Sequence, residues 1–132
     1  MTHRILGYVA VFIGGAFGSA LRHAVNQTAA TLFGMKLPWG TFAVNILGSI
    51  AIGLITGWFA FRGGTSNQIV RLFVTTGVVG GFTTFSAFAL DTALMWERGQ
   101  QWTAALYGIG SVLLSVAGIF LTMGACRYVF AR

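Results

Sequence analysis

Four long apolar segments, separated by short polar stretches, dominate the pattern of hydrophobic positions along the chain. Each reaches the roughly 20 residues that a helix needs to cross about 30 Å of hydrocarbon. None carries the polar stripe with which a helix of a water-soluble protein faces solvent. The pattern predicts an all-α integral membrane protein, with residues 1–132 forming a single domain. Its four transmembrane helices are placed at approximately residues 5–25, 38–61, 67–96 and 101–130.

The composition agrees with this prediction and excludes several classes of function. Of the 132 residues, 56% are hydrophobic and 8% are charged, whereas roughly 25% are charged in an average soluble domain. The formal net charge of +6 comes from basic residues scattered singly at the ends of the apolar segments, where lipid head groups lie. Because the sequence contains no basic run and no phosphate-loop spacing, it predicts no nucleic-acid partner, no ATP site and no enzyme activity.

The positive charges specify the membrane orientation only weakly. With four spans, the side of the N-terminus holds five basic residues and the other side holds three: Arg4, Arg62, Arg71, Arg127 and Arg132 against Arg22, Lys36 and Arg98. The asymmetry of Lys and Arg sets orientation, and this bias is small. Either the N-terminus is cytoplasmic, or copies insert both ways and form an assembly with a two-fold axis in the membrane plane.

Glycine spacing indicates that the helices pack closely. The chain has 19 glycines, about twice the average usage. Several are four residues apart, a spacing that lets helix backbones approach closely in lipid, where hydrophobicity cannot drive association. These pairs are Gly14 and Gly18, Gly53 and Gly57, and Gly77 and Gly81. Because four helices barely enclose a path of their own, we expect close packing both within the subunit and in a homodimer.

The third segment is too long for a straight membrane helix. Residues 67–95 would extend roughly 43 Å at about 1.5 Å per residue, which exceeds the hydrocarbon thickness. A break near residues 77–86 is predicted because glycines there accept unusual backbone angles, with Asn67 as a helix N-cap. Hydroxyl groups can bond the freed backbone groups: Thr83, Thr84 and Ser86. Freed carbonyls suit sodium and freed amides suit an anion; the alternative is a continuous packing helix.

The polar residues at membrane depth are almost all neutral, which favours conduction over proton-coupled transport. Asp91 is the only candidate acid, and it lies toward a helix end. Phe85 and Phe88 are three apart and can share a helix face, where their positive ring edges would contact an anion; core packing is the alternative. On the last segment a line of hydroxyls repeats every four residues, either as an ion track or as bonds between helices: Tyr107, Ser111 and Ser115.

Motifs in the first three apolar segments can be compared with known families. They read GGAFGSALR at residues 14–22, GTFAVNILGS at 40–49 and GGFTTFSAF at 80–88. Together they resemble the Fluc (CrcB) family of bacterial fluoride channels, and the resemblance covers nearly the whole chain. It implies a fluoride-selective channel that gives passive export of fluoride across the cell (inner) membrane. It also implies an antiparallel, dual-topology homodimer with two pores and a structural sodium ion (Na⁺) at its centre.

The resemblance implies roles for the residues that match the motifs. The fluoride pathway would be formed by Asn45, Phe85, Phe88, Tyr107, Ser111 and Ser115. Arg22 would stand at the pore mouth, and the backbone carbonyls of Gly80 and Thr83 would hold the sodium ion at the break in the third helix. The sequence departs from the family at His23, where an aromatic or apolar residue is frequent, and at Asp91, where a glutamate is frequent. Neither position touches the ion path in the family's arrangement.

Two other functions remain open at this point. A small multidrug or guanidinium-type proton-coupled exporter also has four short spans and can insert both ways. That class needs an acid deep in the first helix, and residues 6–25 contain none. A membrane subunit that only joins other proteins would not need Asn45 or the pair of Phe85 and Phe88.

Overall fold

The computed structural model of the chain describes residues 2–61 and 68–130, and every regular element in that part is a helix. The elements are α1 (Thr2–Phe33), α2 (Trp39–Phe61), α3 (Gln68–Arg71), a π-helix (Leu72–Val79), α4 (Gly80–Phe82), α5 (Phe85–Glu97) and α6 (Gln101–Phe130). The predicted N-cap Asn67 lies outside the described residues.

Four stretches of helix are long and apolar enough to cross a membrane. They are Arg4–Phe33, Trp39–Phe61, Gln68–Glu97 and Gln101–Phe130, and the third of them is called the third span below. The prediction of an all-α protein with four apolar spans is therefore confirmed in the part of the chain that the structure describes.

The first helix extends further than the sequence predicted, and its predicted end near residue 25 is corrected to Phe33. Polar residues follow residue 25, but no glycine or proline interrupts the helix there, and Thr28 Oγ1 donates a hydrogen bond to the Ala24 carbonyl at 2.9 Å. The helix stops at Gly34, whose φ of 77° is left-handed and whose N–H bonds the Ala30 carbonyl at 3.0 Å. Glycine is the usual residue at such a C-terminal cap.

The three glycine pairs predicted to bring helices together all face other helices of the same chain. A Cβ added to Gly14 would lie 2.9 Å from the Gly77 Cα, and one added to Gly18 would overlap the Val78 carbonyl. A Cβ added to Gly53, on α2, would lie 3.0 Å from the Ile119 carbonyl oxygen on α6, and one added to Gly57 would overlap the Cβ of Cys126. The backbones of α1 and the third span therefore touch directly, as do those of α2 and α6, which the small-residue spacing makes sterically accessible.

The two halves of the third span pack against different neighbours. The π-helix and α4 lie against α1, whereas α5 lies against α6. Between α4 and α5, Thr83 and Thr84 have extended backbones, with ψ of 161° and 115°. This pair lies inside the 77–86 stretch where the sequence predicts a break, and the change of packing partner occurs at the same point.

The interior of the subunit is small, and most large apolar side chains face outward. A buried cluster is formed by Met95, Ala104 and Tyr107. By contrast, Phe12 is 78% exposed and Trp102 is 85% exposed. Such a surface is unsuited to water but suits lipid tails or a second subunit, as expected of a membrane protein.

Candidate functional site

A groove of about 480 Å³ runs along the subunit between α2, the third span and α6. Its polar lining consists of side-chain amide and hydroxyl groups, from Asn45, Ser49, Thr75, Thr83, Thr84, Ser111 and Ser115. Phe85 and Phe88 contribute aromatic rings, and aliphatic residues complete the wall. No charged side chain is among the described residues that line it. The groove therefore offers neutral hydrogen-bond donors inside an apolar wall.

The extended pair in the third span is held from α2 by Asn45. The Asn45 Nδ2 donates to the Thr84 carbonyl at 3.0 Å, and the Thr84 backbone N–H donates to Asn45 Oδ1 at 2.8 Å. Gly48, one turn later on α2, leaves room for the methyl group of Thr83, which an added Cβ would overlap. The α2 helix thus presents a polar side chain at Asn45 and no side chain at Gly48 to the extended pair. Both features are needed for this close approach.

Of the three hydroxyl groups predicted to bond freed backbone groups of the third span, only that of Thr84 does so. Thr83 Oγ1 donates to the Val79 carbonyl at 3.2 Å, but that carbonyl already accepts the Thr83 N–H at 3.1 Å and is therefore not a freed group. Thr84 is the N-cap of α5, because its Oγ1 accepts the Ala87 N–H at 3.2 Å. Ser86 Oγ lies 3.3 Å from Thr84 Oγ1 and so bonds a hydroxyl rather than the backbone. Capping of this kind supplies a partner for an amide that helix geometry leaves unpaired.

Arg22 approaches the same extended pair from α1. Its Nη1 donates to the Thr83 carbonyl at 3.3 Å, and its Nη2 lies 3.4 Å from Ser19 Oγ. Ser19 in turn donates to the Gly81 carbonyl at 3.4 Å. Arg22 is not among the residues that line the groove. Its guanidinium group therefore places a positive charge at the Thr83 carbonyl rather than in the groove lining.

The aromatic rings form a continuous row from the open side of the groove into the core. The ring centroids of Phe85 and Phe88 are 5.6 Å apart, and those of Phe88 and Tyr107 are 5.5 Å apart. Phe85 is 78% exposed at one end of the row, and Tyr107 is 8% exposed at the other. The predicted sharing of one face by Phe85 and Phe88 is confirmed by this contact.

Two hydroxyl groups of the predicted line on α6, those of Tyr107 and Ser111, are buried. In the described part of the chain Ser111 Oγ meets no group at hydrogen-bonding geometry, whereas Tyr107 Oη lies close to Asp91 and Thr41. Leaving a buried polar group unpaired costs about 1–3 kcal/mol, so a ligand or water that fills this place is favoured. The Asp91 carboxylate interacts with the Tyr107 hydroxyl. Asp91 borders a second cavity of about 280 Å³, near the loop between α1 and α2.

The structure brings most of the predicted site residues together. Five of the six predicted pathway residues line the groove, and so do the two residues predicted to hold sodium: Asn45, Phe85, Phe88, Ser111 and Ser115, with Gly80 and Thr83. Tyr107 does not line the groove but packs on Phe88, which does. Arg22 stands at the extended pair, as described above.

Sequence reasoning did not assign Thr84 to the site, although it is 7% exposed and joins Asn45 to the start of α5. A signal was present, because a threonine just before an apolar run is a favoured N-cap. Ser49 and Thr75 also line the groove without having been assigned to it. Their hydroxyls look like those of any polar residue at membrane depth until the helices are assembled.

Comparison with known proteins places these features in a family. Residues 9–124 match the family model described as "CrcB-like protein, Camphor Resistance (CrcB)". A protein of Nitrobacter hamburgensis named fluoride-specific ion channel FluC 2 is 54% identical over 123 residues, or 93% of this chain and 98% of the relative. A fluoride-specific ion channel FluC of Rhodopseudomonas palustris is 50% identical over 91% of this chain and 96% of its own length.

Proposed function

The chain belongs to the CrcB family and is a fluoride channel of the membrane rather than an enzyme, and we propose that the groove between its helices forms one wall of the fluoride path. One observation carries this proposal: neutral donors and aromatic rings line the groove, and none of its described lining residues is charged. Fluoride is small and holds water strongly, so many donors must replace that water along the path. A fixed positive charge in the lining would hold the ion too firmly for it to leave.

Each class of lining residue supplies a distinct kind of donor. The unpaired hydroxyl of Ser111 is free to donate to an anion, and Ser115 continues the same helix face. The bond to Thr84 uses one of the two hydrogens on Asn45 Nδ2, so the other remains for the ion. The rings of Phe85 and Phe88 offer positive edges. Tyr107 extends this series of donors beyond the groove toward Asp91 and the second cavity.

The groove is completed, in this proposal, by a second copy of the chain inserted in the opposite orientation. In the single subunit, Phe85 and Gly80 are exposed on its open side. A path along which an ion crosses the membrane needs protein on all sides, since lipid cannot satisfy polar groups. The small bias of basic residues permits both orientations. A two-fold axis in the membrane plane would then give an antiparallel, dual-topology homodimer with two equivalent paths.

A structural sodium ion at the centre of that dimer is also proposed, and the residues present fit it in part. In an unbroken helix the Thr84 N–H would bond the Gly80 carbonyl, but here it bonds Asn45 Oδ1, so the carbonyl is released. Gly80 lies on the exposed side, and only the Thr75 carbonyl approaches its Cβ position, at 3.7 Å. The Thr83 carbonyl already accepts from Arg22, but a carbonyl has a second lone pair. A sodium ion would neutralise converging carbonyl oxygens at a dry interface.

We place the channel in the cell membrane, which is the inner membrane where there are two. There, passive flow would lower cytoplasmic fluoride, because the negative interior potential drives anions outward. Nothing in the groove lining titrates near neutral pH, so this flow needs no coupled proton. The competing exporter mechanism would require such a group along the path.

Liposomes that contain the purified protein test the proposed function. When they are loaded with potassium fluoride and diluted into fluoride-free buffer, a potassium ionophore should release fluoride rapidly, as read by a fluoride electrode. The same vesicles loaded with potassium chloride should release no chloride above the protein-free level. Absence of fluoride efflux from well-folded protein would contradict the proposal, and efflux that requires a proton gradient would favour the exporter.

A further inference from the structure

We infer that Asn45 is a positioning residue for fluoride conduction: it holds the extended pair Thr83 and Thr84 in place and thereby sets the position of Phe85 in the groove. The inference rests on the proposed function, because it concerns how the groove is built. It goes beyond the role of Asn45 as a donor to the ion. The two roles use different atoms of the same side chain and can be measured separately.

The hydrogen bonds of Asn45 replace helical bonds that the third span does not make. The last backbone bond before the extended pair runs from the Thr83 N–H to the Val79 carbonyl at 3.1 Å. The next amide, that of Thr84, turns away from Gly80 and finds Asn45 Oδ1 at 2.8 Å. An amide at membrane depth without a partner is costly. The α2 helix thus supplies, through Asn45 Oδ1, the acceptor that offsets the cost of an extended conformation at this point.

The pairing is reciprocal, which fixes the orientation of the Asn45 amide. Its oxygen meets a backbone donor and its nitrogen meets a backbone acceptor on the same residue, Thr84. If the amide were rotated by 180°, Oδ1 would face the Thr84 carbonyl oxygen and Nδ2 would face the Thr84 N–H. Neither pair can form a hydrogen bond. The remaining hydrogen on Nδ2 therefore has one defined direction. A residue with only a donor or only an acceptor could make half of this arrangement.

Holding Thr84 has a direct consequence for the groove, because Thr84 precedes Phe85 and caps α5. Its hydroxyl accepts the Ala87 N–H at 3.2 Å and its side chain is 7% exposed. Thr84 therefore links the start of α5 to α2, and this link fixes where the rings of Phe85 and Phe88 lie. Without Asn45, the first turn of α5 would no longer be anchored to α2. The two rings would then no longer be held together over the groove.

Hydrogen–deuterium exchange of the purified protein, measured without fluoride, separates positioning from ion contact. In Asn45→Ala, exchange at the amides of residues 84–87 should accelerate about tenfold, since one protected hydrogen bond is worth about that factor. Fluoride efflux should be lost in parallel. In Asn45→Asp, a carboxylate can still accept the Thr84 N–H. That amide should stay protected, although the added negative charge stops efflux.

Ser49→Ala is the matched control, because Ser49 lies one turn away on α2, lines the same groove and makes no bond to Thr84 in the described structure. Its exchange at residues 84–87 should equal that of the unchanged protein. Unchanged exchange in Asn45→Ala with lost efflux would overturn the inference, since Asn45 would then act on the ion alone. Faster exchange with normal efflux would overturn it as well. If the unchanged protein conducts no fluoride, the proposed function fails, but the exchange comparison still tests what Asn45 holds.

Discussion

Replacing Phe85 with leucine should reduce fluoride efflux from liposomes by about a hundredfold, while the protein remains folded. Phe85 is 78% exposed in the subunit, so its ring contributes little to the interior. Leucine keeps an apolar side chain there but lacks the positive edge that an aromatic ring offers to an anion. An ion that has given up water and loses a partner forfeits about 1–3 kcal/mol, and about 2.7 kcal/mol corresponds to a hundredfold change.

The efflux measurement for Phe85→Leu uses the fluoride electrode with equal amounts of dimeric protein in every sample. Phe120→Leu provides the control, because Phe120 is 73% exposed on α6 and does not line the groove. That variant should release fluoride at the rate of the unchanged protein. If Phe85→Leu kept its efflux within about twofold of the unchanged protein, a difference near the noise of such ΔΔG estimates, the aromatic edge would have no part in conduction.

Replacing Gly80 with leucine should abolish dimer formation and fluoride efflux together, without unfolding the subunit. Gly80 has helical backbone angles, with φ of −63° and ψ of −37°, so a side chain is sterically allowed. Only the Thr75 carbonyl lies within 4 Å of an added Cβ, at 3.7 Å. A leucine would therefore extend from the open side of the subunit. In the proposed homodimer that space belongs to the partner, and overpacking costs about 1–3 kcal/mol or more.

The oligomeric state of Gly80→Leu is read by light scattering of the detergent-solubilised protein and by cross-linking in liposomes. Gly124→Leu is a suitable control, since an added Cβ at Gly124 has nothing within 4 Å and Gly124 lies outside the groove. We expect monomers for the first variant and dimers for the second. A dimeric Gly80→Leu with normal efflux would place the partner elsewhere and remove the argument for a sodium site at the Gly80 carbonyl.

The four spans and the contact between Phe85 and Phe88 followed from the sequence because both depend on local chemistry. Hydropathy predicts which segments enter a bilayer, whatever their neighbours are. Phe85 and Phe88 share a face because helical periodicity requires it. The C-terminal end of α1 was predicted wrongly because a hydropathy pattern cannot show that a helix continues through polar residues as far as Phe33. The extended backbone at Thr83 and Thr84 lies where length and glycine content together favour an interruption.

Contacts between distant segments could not be predicted in the same way. Arg22 and Thr83 are 61 positions apart, and Asn45 and Thr84 are 39 apart. Nothing in residue type or spacing says which carbonyl a guanidinium will reach once the helices assemble. The partners of the glycine pairs depend likewise on which helices become neighbours. Asn45 was predicted as an ion contact from the family resemblance, and its bonds to the backbone became visible only in the assembled fold.

The central claim is that fluoride crosses passively, among neutral donors, with no coupled proton. The most direct test is the reversal potential of single channels in a planar bilayer, with a fluoride gradient, equal chloride on both sides and two different pH gradients. We expect reversal at the equilibrium potential of fluoride under both pH conditions. A reversal potential that moves with the proton gradient, or that stays at zero, the equilibrium potential of chloride when chloride is equal on both sides, would contradict this account.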